Sequence, residues 1–184
     1  MNTQDPVIRS VHHWVERLVV GENLCPFAKR ELVKNSVRFV HCSAKDEADL
    51  LVDLDAELNR LQDNPEIETT LLIHPQALLD FFDFNNFLDQ VDALLRYKNL
   101  EGVFQIATFH PDYQFAGTEL DDAENYTNRS PYPVLHVLRE ASLENAIERY
   151  PDTADIPQRN IERMEAMGVS QLKAILEDCV ALPD

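Results

Sequence analysis

Three short runs constrain what this chain can become: Val37-Arg38-Phe39-Val40-His41-Cys42, Thr69-Thr70-Leu71-Leu72-Ile73-His74 and Phe104-Gln105-Ile106-Ala107-Thr108-Phe109-His110. Each has the β-branched and aromatic character of a strand. Pro75 ends the second and Pro111 the third. Between the first two, Leu51, Leu54, Leu58 and Leu61 recur at helical spacing above an acidic outer face. Between the second and third, the segment from Ala77 to Tyr97 does the same through Leu78, Phe82, Leu88, Val91 and Leu95, with Asn85-Asn86 as a point where it would split. Strands joined by helices this long need crossover connections, which normally link parallel neighbours. The expected fold class is therefore α/β, with a small three-stranded parallel or mixed sheet. A ferredoxin-like α+β arrangement is the alternative.

The flanks add helices. Asp5 before Pro6 is a cap-then-proline start, and Val7, Val11, Trp14, Val15, Leu18 and Val19 keep helical period up to a stop at Gly21. After a loop from Pro111 to Arg129, helices are expected near 133–149, 157–167 and 170–180, capped by Ser130, Asp155 and Ser170. No repeat or linker divides the chain, so a single domain over 1–184 is expected. With 45% hydrophobic residues it can close a core without metal or disulfide staples.

Charge removes whole classes of partner. The 16 basic and 33 acidic side chains leave a net charge of −17, which opposes nucleic acid and anionic membranes. A small anionic ligand stays compatible, because one arginine aimed into a cleft sets the local potential. Cys25, Cys42 and Cys179 form no CxxC pair, and no disulfide is expected. The opening Met1-Asn2-Thr3-Gln4-Asp5-Pro6 has no basic region leading into an apolar one, and no stretch approaches the roughly 18 apolar residues of a membrane span. A cytoplasmic location is the expectation. With four glycines there is no phosphate-binding loop and no dinucleotide fingerprint, hence no nucleotide cofactor motif. Oligomeric state is not legible.

In a parallel sheet the ligand crevice lies outside the carboxyl ends of the strands, and all three runs finish on or next to a histidine: His41, His74 and His110. Such a cluster suits a transition metal or proton transfer near neutral pH. The structural alternative is that each imidazole ends its strand by bonding loop backbone. Directly after the third strand, His110-Pro111-Asp112-Tyr113-Gln114 combines base, acid, phenol and amide, and Asp112 would fix a tautomer or simply make a turn. Asn128 and Arg129, feeding Ser130-Pro131, would hold a carboxylate or phosphate, or Arg129 would pair on the surface. Cys25 before Pro26 would cap a short helix whose dipole lowers its pKa, unless it is a buried inert thiol. His12, His13 and His136, read within helices, carry no assigned chemistry.

Four blocks, Asn23-Leu24-Cys25-Pro26-Phe27-Ala28, Leu72-Ile73-His74-Pro75, Phe109 to Gly117 and Asn128-Arg129-Ser130-Pro131-Tyr132-Pro133, together resemble the uncharacterised bacterial family catalogued as domain of unknown function 1415. The family carries no established activity, so the resemblance implies a ranking of residues rather than a reaction. Cys25, His74, His110, Asp112, Tyr113, Gln114, Asn128 and Arg129 fall on its motif positions and His41 does not. The leading expectation is an enzyme for a small anionic metabolite. In it Cys25, His74, His110 and Asp112 supply the chemistry, and Tyr113, Gln114, Asn128 and Arg129 bind the substrate. The alternatives are a non-catalytic protein holding a transition metal through His74 and His110, and an acidic interaction module with an apolar patch rimmed by Asp and Glu.

Overall fold

The computed structural model describes residues 5–149 and 152–181; residues 1–4, part of the opening segment discussed above, lie outside them. Helix α1 (Pro6–Trp14) starts as the sequence predicts, with the N–H groups of Val7 and Ile8 donating to Asp5 Oδ1 at 2.9 and 3.3 Å. It runs into a π-helical turn, Val15–Val20, and then α2 (Ala28–Val33). Strand β1 (Val37–His41), helix α3 (Glu47–Asp63), strand β2 (Thr69–Ile73), helix α4 (Phe81–Tyr97) and strand β3 (Phe104–Phe109) follow in the expected alternation. Helix α4 begins only at Phe81, where Asp80 caps Phe82 and Asp83, and it passes Asn85 and Asn86 without a break.

The sheet is mixed, as one of the two expectations had it, but has four strands rather than three. The stretch expected to be one helix over 133–149 is strand β4 (Val134–Arg139) passing directly into α5 (Glu140–Arg149). Val134-Leu135-His136-Val137-Leu138 is too short for its period to separate strand from helix, and no turn marks the junction with α5. Ser130 caps no helix: its hydroxyl donates to the Tyr132 carbonyl. Helices α6 (Ile156–Met167) and α7 (Val169–Val180) match expectation to within a residue. Asp155 makes no side-chain cap bond there, and Gly168 rather than Ser170 precedes α7.

Strand order is β1-β2-β4-β3, with β1 parallel to β2 and β4 antiparallel to both its neighbours. The half built from β1, α3 and β2 is an ordinary parallel crossover. The half built from β2, α4 and β3 is split by β4, the feature ferredoxin-like sheets share. Strands β1, β2 and β3 therefore point the same way, and their carboxyl ends lie at one edge.

Two cores sandwich the sheet. On one face Leu50, Leu54, Leu58 and Leu61 of α3 and Phe84, Phe87 and Val91 of α4 pack on Leu72, Leu135 and Val137. On the other, Val11 and Trp14 of α1, Met164 of α6 and Leu172 of α7 pack on Phe39, Leu71, Ile73 and Val134. Strand β2 is buried throughout because both its faces are covered. The second face is closed less completely over β3 and β4, where α5 buries none of its residues fully.

Candidate functional site

The strand-end histidines share an edge but not a face. His41 is paired with Ile73, whose side chain belongs to the α1 core, so period-two alternation sends His41 to that side and His74 to the opposite one. There His41 Nδ1 meets Asp5 Oδ2 at 2.8 Å. Burial opposes ionisation of Asp5, but the hydrogen bonds from His41 and the α1 backbone outweigh it and hold its carboxyl below the usual range. His41 thus serves the helix cap and is not part of a three-histidine group.

His74 and His110 do sit together, both against Phe84, with ring centroids 5.7 and 5.2 Å from it. His74 Nδ1 donates to the Ala77 carbonyl at 2.9 Å, and His110 Nε2 to the Leu78 carbonyl at 3.2 Å. His110 Nδ1 accepts from the N–H of Asp112 at 3.0 Å. Both imidazoles are neutral. Desolvation drives the His74 pKa to about 4, against the opposing pull of the Ala77 bond. It also lowers that of His110, against the Leu78 bond and the charges of Asp112 and Asp80. Two histidines from two strands thus grip consecutive carbonyls of the loop before α4, and Leu78 is held there at φ 55°. That conformation costs a branched side chain roughly 1–2 kcal/mol, which the clamp must supply.

Arg129, Asn128 and Gln114 are also committed to backbone. Arg129, nearly buried, donates through Nε to the Tyr113 carbonyl at 3.1 Å and through Nη2 to the Leu120 carbonyl at 2.7 Å, and stacks 4.6 Å over Tyr126. Asn128 Nδ2 donates to the Thr108 carbonyl at 3.0 Å, and Gln114 Nε2 to the Thr118 carbonyl at 2.6 Å. Tyr113 packs its ring on Phe81 and Phe115 at 5.0 and 4.9 Å. Asp112 is exposed. Asn125, which residue types alone did not single out, is the buried hub. Its Oδ1 accepts from Phe115 N and Thr118 Oγ1 at 3.0 and 2.8 Å, and its Nδ2 donates to the Glu119 carbonyl at 2.8 Å. The pocket at this edge is a shallow, open depression beside Lys45, Asp46, Leu79 and Asp83 that includes none of the predicted residues. Among the described residues no three His, Cys, Asp or Glu side chains converge as a metal site, and both ring nitrogens of His110 are already bonded.

Cys25 lies on the other side of the sheet from His110. It lines a cavity of about 670 Å³ on the face of Leu71, Ala107, Phe109, His136 and Leu138, whereas His110 packs on α4. Trp14 forms one aromatic wall, edge-on to Phe109 at 5.2 Å. Val15 and Val19 of the π-helical turn add to that wall, and Leu143 and Ala146 of α5 face them. At the mouth stand the exposed cations Arg30, Lys34 and Arg149 with the carboxylates Glu31 and Glu68. Lys34 and Arg30 pair with Glu31 at 3.1 and 3.4 Å. Arg139 also borders the cavity, but its guanidinium is spent on the carbonyls of Leu61, Asn64 and Ile67.

Of the two readings of Cys25, the buried thiol fits the structure and the helix-activated one does not. The N–H groups of Phe27 and Ala28 do point at its sulfur, but burial outweighs them and raises the thiol pKa. The sulfur is a neutral S–H, and α2 is too short to change that. His136, which helical reading hid, stands on the cavity floor 6.2 Å from the Phe109 ring, where desolvation brings its pKa to about 4. Reading Val134–Leu138 at period two puts Val134, His136 and Leu138 on one face, the signal that would have found it.

Fold and site together define a mixed α/β protein with a loop clamp at its strand ends and a separate, largely apolar cavity on its second face. The chain belongs to the family described as a protein of unknown function, DUF1415, whose model matches residues 6–174 and so covers both regions. No curated protein and no solved structure matches it. Among the described residues, no helix is long and apolar enough to cross a membrane.

Proposed function

We propose that this protein binds a small molecule with an apolar body and one anionic group in the cavity between the π-helical turn, α2 and α5. The observation that carries this reading is the cavity itself. Its volume of about 670 Å³ is that of an ordinary ligand site. Its floor and walls are mostly apolar, and its mouth sets three exposed cations against two carboxylates, the reverse of the balance in a chain with 16 basic and 33 acidic residues. An apolar body gains by leaving water, and an anion at the mouth meets the local excess of positive charge. The strand-end catalytic site expected from sequence is less favoured, since Arg129, Asn128 and Gln114 already donate to backbone carbonyls and Cys25 is elsewhere.

Trp14 reports on the site directly. Titration with octanoate, octanol and octylamine, followed by Trp14 emission, is expected to give affinities in that order. Ala107→Phe, which fills the floor, is expected to abolish the response while leaving the circular dichroism unchanged. Octylamine binding as tightly as octanoate contradicts the anionic part of the reading, and no binding by any of the three contradicts the reading itself.

A second surface favours a second role. The clamped loop presents Leu79 at 59% exposure and the first turn of α4 presents Phe82 at 72%, with Asp80 and Asp83 beside them and Asp46 and Glu47 lining the adjacent depression. A basic amphipathic segment of a partner protein fits this patch by charge. Its test is binding of a Lys- and Leu-rich helical peptide, lost in Phe82→Ser; equal binding to Phe82→Ser removes the role.

A further inference from the structure

Three atoms at the cavity floor determine where one proton lies. The Thr69 hydroxyl oxygen is 2.5 Å from the Val137 carbonyl oxygen and 2.7 Å from His136 Nε2. Two oxygens at that separation need a proton between them, and a carbonyl has none, so the Thr69 proton points at Val137. The hydroxyl then has only lone pairs to offer His136. Nε2 is therefore the protonated nitrogen, and Nδ1 carries a lone pair. No described group bonds Nδ1. Unlike His74 Nε2, which is sealed from solvent without a partner, His136 Nδ1 is not among the sealed atoms, and its ring lines the cavity. The floor thus ends in one neutral hydrogen-bond acceptor held in a fixed tautomer, among Leu71, Ala107, Phe109 and Leu138.

A purely apolar ligand end would bury that acceptor without a partner, which costs affinity, while an end bearing an O–H or N–H would satisfy it. Of the other polar side chains that line the cavity, Cys25 is a neutral thiol and too weak a donor to compete, and Ser142 and Asn145 belong to α5 rather than to the floor strands. We infer that the ligand carries a neutral hydrogen-bond donor, a hydroxyl above all, at the end opposite its anion, and that His136 Nδ1 selects for it. This rests on the cavity reading given above. The ligand class narrows to hydroxylated apolar or aromatic acids, whose ring would lie against Trp14 and Phe109. His136 is the specificity-determining residue. Thr69 is a positioning residue that acts through it.

The test compares 3-(4-hydroxyphenyl)propionate with 3-phenylpropionate and 3-(4-methoxyphenyl)propionate, by calorimetry on the whole chain. The hydroxyl compound is expected to bind on the order of tenfold more tightly than the unsubstituted one, the size of a net hydrogen bond that also relieves a buried acceptor, and the methoxy compound more weakly still. His136→Phe is expected to erase the preference. Thr69→Val, which frees the ring to take the other tautomer, is expected to reduce it. A readout that needs no variant to fold is the imidazole nitrogen spectrum of the wild-type chain. Nδ1 is expected at a pyridine-like shift that moves upfield on adding the hydroxyl compound and stays in place with the methoxy one. Equal affinities for all three, or a protonated Nδ1, overturn the inference and leave the cavity reading standing; binding of none overturns both.

Discussion

The strand-end edge and the second face of the sheet use polar residues in opposite ways. At the strand ends, His74, His110, Gln114, Asn125, Asn128 and Arg129 are many, closely spaced in sequence and almost wholly bonded to backbone carbonyls and amides. On the second face, His136 and Cys25 are few, scattered along the chain and lie against an open volume. A dense polar block in a sequence therefore marks demand for hydrogen bonds, and long loops between strands generate that demand on their own. Chemistry needs capacity left over, and here the surplus is on the quieter face.

The sharpest way to break this comparison is to cut the clamp. His74→Ala removes a fully buried ring stacked on Phe84 and frees the Ala77 carbonyl beside the strained Leu78. It is expected to cost about 3–5 kcal/mol in denaturant unfolding, as other buried aromatic-sized truncations do. Ligand affinity in the folded fraction should be unchanged. A loss below about 1 kcal/mol would mean that the ring holds nothing of consequence.

Acid comes next. His74 and His136 both have pKa values near 4 when folded, well below that of a free imidazole. The unfolded chain then binds more protons between about pH 6.5 and 4, so stability falls as pH drops through that window, by on the order of 3 kcal/mol for each histidine. Asp5, depressed rather than raised, adds a loss at still lower pH. Urea unfolding across that range is expected to show the slope, and His136→Gln to flatten part of it; a ligand that donates to neutral Nδ1 should carry the His136 part to still lower pH. A pH-independent midpoint would contradict the buried neutral histidines on both faces.

Smaller effects separate bonded from unbonded residues within the clamp. Asn125→Ala strands three partners in the 113–119 loop and is expected to cost about 1–3 kcal/mol. Asp112→Asn, at an exposed carboxylate, should stay within about 0.5 kcal/mol, although Asp112 is the more conspicuous of the two in the sequence. Equal losses at both would show that exposure and bonding are poor guides here.

Much of the fold was legible, and what was missed has physical causes. The Asp5-Pro6 cap, three strands and the two crossover helices follow from local chemistry that tertiary contacts reinforce. Strand β4 escaped because four apolar residues around one histidine fit either period, and because it meets α5 without a turn. That one miss had the largest functional consequence, since it concealed both the split sheet and His136. The strand-end histidines were found by position, but their roles turned on a single residue of register: His41 pairs with Ile73 and so faces away from His74. Register and the satisfaction of Arg129 and Asn128 are set by partners far along the chain, which no local pattern encodes.

The most direct test of the account is a map of backbone and imidazole chemical shifts during titration with 3-(4-hydroxyphenyl)propionate. The account predicts that the largest shifts cluster at Thr69, Leu71, Ala107, His136 and Leu138, with Cys25 and Trp14 beside them and with His110, Asp112 and Arg129 unmoved. Shifts centred on His110, Asp112 and Arg129, with the cavity floor silent, would contradict it.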